Sequence, residues 1–183
     1  MMRTVALALS GFLIALAPEP ASAQSGPSRE YQIKAAFLFH FAQFVSWPPD
    51  AFSDERAPFV VGVLGDDPFG ETLDRMVAGE KIAQRELKIE RYGDPAAIGI
   101  CQILFVSRSE LDRLDSILEA LAGRHILTVG EMDGFTDRSG IIRFVVDDDK
   151  IQLEINAVAA TEAKLTISSK LLRLAQVVQP VGR

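Results

Sequence analysis

Few side chains in this sequence have the types and spacing that reactive chemistry needs. Hydrolysis or group transfer asks for a nucleophile beside a base, a metal set, or two carboxylates facing a cleft. The chain holds two histidines, His40 and His125, which are far apart and form no metal-spaced pair. His40 falls in an aromatic helical run and His125 opens a strand-like run, so both read as structural. Cys101 is the single cysteine and sits inside the apolar run Ile100–Val106, the setting of a buried, inert thiol. No Gly-x-Ser-x-Gly elbow occurs, and Ser168-Ser169-Lys170 lacks the Ser-x-x-Lys spacing of an acylating serine. Asp147-Asp148-Asp149 could attract a cation, but carboxylates between two strands are ordinarily solvated turn formers. The best glycine-rich turn is Gly65–Gly70, where helix N–H groups could hold an anion. Its two aspartates and its lack of lysine argue against phosphate. With Ser107 and Glu131, Asp66 and Asp67 could instead line one small-solute crevice at the carboxyl ends of parallel strands. The inventory therefore points away from an enzyme and implies no cofactor and no metal.

The elements that would position these residues are easier to read. Tyr31–Pro49, YQIKAAFLFHFAQFVSWPP, is apolar over an arc of roughly 200° at the helix period, wider than a surface helix shows. Such a helix must be enclosed by its own sheet or partly by a second subunit. Phe39 and Trp47 face away from the main arc and are candidate partner contacts, with Phe69 and Phe135 at loop positions beside them. Pro48-Pro49 ends the helix, because neither ring has an N–H to donate. Next comes a continuous apolar strand at 58–65, then a helix to Val77 capped by Asp67, with Pro68 at its first position. Residues Glu86–Tyr92 alternate as a half-exposed strand toward a sheet edge. Ile100–Val106 is a buried strand, and Glu110–Leu121 a helix capped by Ser107 or Ser109. His125–Val129 is a short buried strand.

This rhythm is that of a partly parallel sheet with right-handed crossovers. Ile141–Val146 and Ile151–Ile155 then alternate as a hairpin, followed by a short helix or turn over Asn156–Lys164 and a final helix over Ser168–Val178. The expected fold is a single α/β domain with a mixed, mostly parallel sheet of about six strands, flanked by helices, with a C-terminal β-hairpin and helix.

The chain opens MMRTVALALSGFLIALAPEPASAQ. Arg3, the apolar run Val5–Ala17 and Ala21-Ser22-Ala23 have the order of a signal peptide over residues 1–23, cleaved after Ala23. The apolar run is too short to span a bilayer, and Gln24 rather than Cys follows the cleavage site, against a lipid anchor. Residues 24–29 read as a flexible leader, 30–178 as the domain and 179–183 as a tail. The expected compartment is the periplasm. A net charge of −6 with no basic patch speaks against nucleic acid as a partner.

Several stretches, in order, resemble the YfiR-like family of periplasmic regulators. They are Lys34–Pro48, Val63–Gly70, Cys101–Ser107, Ile126–Glu131 with Phe135, Gly140–Phe144, and Ile155-Asn156 with Leu165–Leu172. The resemblance implies a homodimer that contacts the periplasmic part of an inner-membrane diguanylate cyclase and keeps it inactive, limiting cyclic-di-GMP synthesis and biofilm formation. It also implies an outer-membrane lipoprotein that can sequester the repressor. Relatives can carry paired cysteines, whereas Cys101 stands alone here, which excludes an internal disulfide. A solute-binding component of a sensor or transport system is the alternative.

Overall fold

Pro48-Pro49 sets the end of the first helix. In the computed structural model, which describes residues 28–148 and 150–178, helix α1 covers Arg29–Phe44. Strand β1 (Val45–Ser46) follows in the extended geometry of a chain approaching a proline. The expected signal peptide, leader residues 24–27, the tail 179–183 and Asp149 lie outside the described residues.

The remaining elements are β2 (Phe59–Leu64), α2 (Glu71–Val77), β3 (Lys81–Ile82), β4 (Arg85–Tyr92) and β5 (Ile103–Val106). After them come α3 (Leu114–Leu121), β6 (Leu127–Gly130), β7 (Ile142–Asp147), β8 (Lys150–Asn156), α4 (Ala157–Glu162), β9 (Thr166–Ile167), α5 (Ser169–Leu172) and β10 (Ala175–Val178). Eight strands form one sheet in the order β10-β8-β7-β6-β5-β2-β4-β3. Its β7–β8 and β3–β4 pairs are antiparallel and its other pairs parallel, while β1 and β9 make a separate antiparallel pair. The fold is thus the mixed, mostly parallel α/β sheet read from the sequence. The six expected strands are present, joined by the short β1, β3, β9 and β10.

Strand β2 shows why its sequence is continuously apolar. Phe59, Val61 and Val63 enter one core with α1, α2 and α4, and Val60 and Leu64 enter a second core with α3. Both faces are covered, so alternation disappears. Helix α1 buries a narrower stripe than its composition suggests: Lys34, Ala35, Leu38, Phe41 and Ala42. Ile33 is 38% exposed, and Phe37, Phe39 and Phe44 pack half-buried against the edge of the core.

Three expected helices need correction. Helix α2 begins at Glu71 rather than Pro68, because the Asp67 carboxylate accepts from the Phe69 N–H at 2.7 Å and closes a turn before the helix. Residues Arg108–Arg113 are 3-10, so the α-helical part of the third helix starts only at Leu114. The final helix stops at Leu172. The spacing Leu171, Leu172, Ala175, Val178 fits a helix, yet Ala175–Val178 pairs in parallel with Leu153–Asn156 instead. Backbone pairing with the open side of β8 overrides the local pattern.

The β6–β7 connection is built around Phe135. Its ring is wholly buried, and a Cβ on Gly130 would come within 2.6 Å of it; Gly140 crowds the same ring. Asn156 Nδ2 donates to the Thr136 carbonyl at 2.9 Å, and the Ile141 N–H to Thr128 Oγ1 at 3.0 Å, tying the loop down. Gly130→Ala should therefore overpack this site and lower unfolding stability by about 1–3 kcal/mol. Chemical denaturation should show most of that loss recovered in Gly130→Ala/Phe135→Leu; an equal loss in the double variant would refute the clamp.

Candidate functional site

Strands β4 and β5 flank β2 on opposite sides, so the chain reverses direction across the sheet at β2. In open α/β sheets such a switch point leaves a crevice at the carboxyl ends of the strands. Asp66 and Asp67 follow β2, Ser107 follows β5 and Glu131 follows β6, so all four gather at that end. Each has its own neighbours there. Asp67 pairs with Arg91 Nε at 2.7 Å, and Arg91 also binds the Asp74 carboxylate at 2.6 Å, clamping α2 to β4. That hydrogen bond holds the Asp74 carboxyl below the usual carboxylate range. The Asp66 side chain is exposed, while its N–H donates to Ser109 Oγ at 3.0 Å. Ser107 is buried, its N–H donating to the Leu64 carbonyl at 3.0 Å. Gly65, at φ +85°, lets this turn close: a Cβ there would lie 2.7 Å from Glu110 Oε1.

Glu131 is engaged by α1. Its buried carboxylate pairs with the buried Lys34 ammonium, accepts from Tyr31 Oη at 3.0 Å, and lies 3.8 Å from Arg108 Nε. Lys34 also pairs with Glu30 one helical turn earlier and sits 4.7 Å from the Tyr31 ring centroid. The Tyr31 ring meets the edge of Phe69 at 5.7 Å, and Phe69 in turn meets Phe105 on β5 at 4.8 Å. Tyr31, Lys34 and Phe69 thus fill the place where a ligand would otherwise sit. Burial first, then the charge and hydrogen bond of Glu131, push the Tyr31 hydroxyl up to about 12. Sequence reasoning missed Lys34. The available signal was a lone cation on the i, i+4, i+7 line of Lys34, Leu38 and Phe41, where a charge needs a buried partner.

Of the expected partner contacts, Phe69 and Phe135 are wholly buried, Phe69 in the plug and Phe135 between two glycines. Neither offers a surface, because a loop in sequence here folds inward around its aromatic ring. Phe39 stays half-buried beside the exposed His40 ring, 5.6 Å away. Trp47 is half-buried, stands edge-on to Phe59 at 4.9 Å and donates from Nε1 to the Gln102 carbonyl at 3.1 Å. His125 Nδ1 lies 3.0 Å from the Ala163 carbonyl and Nε2 3.3 Å from Asp50, which makes it a brace between loops. Cys101 is buried, and burial pushes its thiol to about 12, so it is not a thiolate near neutral pH. Among the described residues, no group of three or more His, Cys, Asp or Glu converges to hold a metal ion, and no helix is long and apolar enough to cross a membrane.

The profile of a family described as YfiR/HmsC-like matches residues 31–176. No curated protein matches the sequence. Among solved structures, the chain is similar to the ABC domain in complex with L-Trp from Streptococcus pneumonia, with 12% identity and a TM-score of 0.52. That alignment covers 81% of this chain and spans only 60% of the other, and at this identity it shows the fold alone.

The plug gives a pH signature. The folded state holds the Tyr31 proton up to about 12, whereas unfolded tyrosine releases it near ~10. The contribution is therefore complete below about pH 10 and is lost as pH rises through the folded value. Urea unfolding should show stability falling across that window, with a shallower fall in Tyr31→Phe. An identical slope in the variant would contradict the assignment; Tyr92 and Cys101, both also raised by burial, contribute to what remains.

Proposed function

Since the chain belongs to the YfiR/HmsC-like family, we propose that it is a periplasmic repressor that holds an inner-membrane diguanylate cyclase inactive through protein contact. Family members are regulators of the diguanylate-cyclase kind, and that match over residues 31–176 carries the regulatory part of the reading. Export through the N-terminal signal peptide, homodimerisation and relief by an outer-membrane lipoprotein belong to the same proposal.

The proposed contact surface is an edge of the sheet. Strand β10 ends the eight-strand order, with β8 its one strand neighbour among the described residues. Val177 on it is 48% exposed and Leu174, just before it, 77% exposed, with no charge between them. Soluble proteins guard such edges with lysine, proline or bulges, and an apolar edge without them is a place for another chain to pair. Moving a cyclase from 1:99 to 99:1 toward its inactive state takes about 5.5 kcal/mol of differential affinity. Burying what is still exposed of two aliphatic side chains, at most about 1.5–3 kcal/mol each, supplies part of that, and the aromatic contacts must supply the rest. Phe39 and Trp47 on the opening helix and its exit are the aromatic contacts that remain open to a partner.

In a deletion strain, cyclic-di-GMP should fall to the wild-type level with the native chain and stay at the deletion level with Leu174→Asp/Val177→Asp. Phe39→Glu tests the helix surface in parallel, with circular dichroism to confirm folding. Full repression by both folded variants would defeat the proposed surfaces; no change in cyclic-di-GMP on deleting the native protein would defeat the cyclase reading itself.

A further inference from the structure

At the opposite end of the sheet from the plug, the strands begin around an open groove of about 570 Å³, within the range of small-molecule sites. Its floor is aromatic. Phe59 opens β2, Trp47 meets it edge-on at 4.9 Å, and Phe52 lies 6.3 Å from it at 50°. Ile82 of β3 adds an aliphatic wall. Two cations, Lys81 and Arg85, stand among the lining residues, and no carboxylate does. Glu86, the register partner of Lys81 across the β3–β4 hairpin, is not among them. In a chain of net charge −6, this is a local reversal of sign.

The groove is also held in shape before anything enters it. The Arg85 guanidinium lies 3.9 Å over the Phe52 ring and donates from Nη1 to the Asp54 and Ala57 carbonyls, at 2.9 and 2.7 Å. The carbonyls take up donors without neutralising the charge. Arg85 follows a two-residue turn, Ala83-Gln84, whose φ values are +49° and +69°. Such turns ordinarily take Asn-Gly. Two side-chain-bearing residues in the left-handed region cost free energy and persist only where surrounding contacts fix them, a pattern that concentrates at ligand sites.

We propose that this groove binds a small aromatic carboxylate, with its ring among Trp47, Phe52 and Phe59 and its carboxylate toward Lys81 and Arg85. Aromatic rings prefer the edge-to-face arrangement that Trp47 and Phe59 already show. A fixed guanidinium and an exposed ammonium lining the same groove suit a single carboxylate. The site is separate from the β10 edge and does not depend on the regulatory reading.

Trp47 is the only tryptophan of the chain, so its emission reports on the groove directly. Phenylacetate should change that emission saturably at millimolar concentration. Phenethylamine, with the same ring and the opposite charge, should bind about tenfold more weakly. Lys81 is exposed, so Lys81→Glu should leave the circular dichroism spectrum unchanged while weakening phenylacetate about tenfold and removing the preference for the anion. No saturable response to phenylacetate, an equal response to the amine, or unchanged affinity in the folded Lys81→Glu variant would each overturn the proposal.

Discussion

Lys34 meets Glu131 where water is nearly excluded, with side-chain exposures of 1% and 5%, and this ion pair fixes where α1 lies on the sheet. A buried charge without its partner is costly, so the helix cannot slide or rotate without stranding one group or the other. The pair need not stabilise the fold more than two well-packed aliphatic side chains would. What it supplies is position. With α1 in that register, Tyr31 falls on Glu131 and Phe69, and the carboxyl end of the sheet is closed.

That closure separates this molecule from the usual logic of its fold. A switch point between β2 and β5 ordinarily leaves room for a ligand, and here Tyr31, Lys34 and Phe69 take the room. Of the polar residues expected to bind solute, Asp67 and Glu131 have side chains engaged internally. Asp67 holds Arg91, Asp66 and Ser109 close a turn, and Glu131 receives Lys34. Other buried polar groups follow the same rule: Gln102 accepts from the Val60 N–H at 2.8 Å and donates to the Ala51 carbonyl at 2.7 Å, bracing the loop after the first helix. The interior is thus spoken for. Val177 on β10, with Leu174 just before it, and the aromatic groove beside β3 lie toward the two edges of one sheet.

Much of this was legible in the sequence. The continuous apolar runs of β2 and β5 announced strands covered on both faces, and Pro48-Pro49 announced the end of α1. The short strands were not, because Val45–Ser46, Lys81–Ile82 and Thr166–Ile167 are too brief for any period to show. The residues Ala175–Val178 carry a helix-like spacing that loses to pairing with β8, a tertiary fact absent from local pattern. The gathering of Asp66, Asp67, Ser107 and Glu131 at one end was foreseeable from strand order; the neighbours each takes there were not. Those of Glu131 include Lys34, whose charge lies on an apolar line with its partner nearly a hundred residues away.

A double-mutant cycle on Lys34 and Glu131 tests the closure most directly. Unfolding free energies would be measured by urea titration for the native chain, Lys34→Met, Glu131→Leu and the combined variant. The plugged sheet predicts strong non-additivity, with each single change costing far more alone than in company and a coupling of about 2–3 kcal/mol. Additive costs, with a coupling within about 0.5 kcal/mol of zero, would mean that the pair does not lock the helix and would contradict the account.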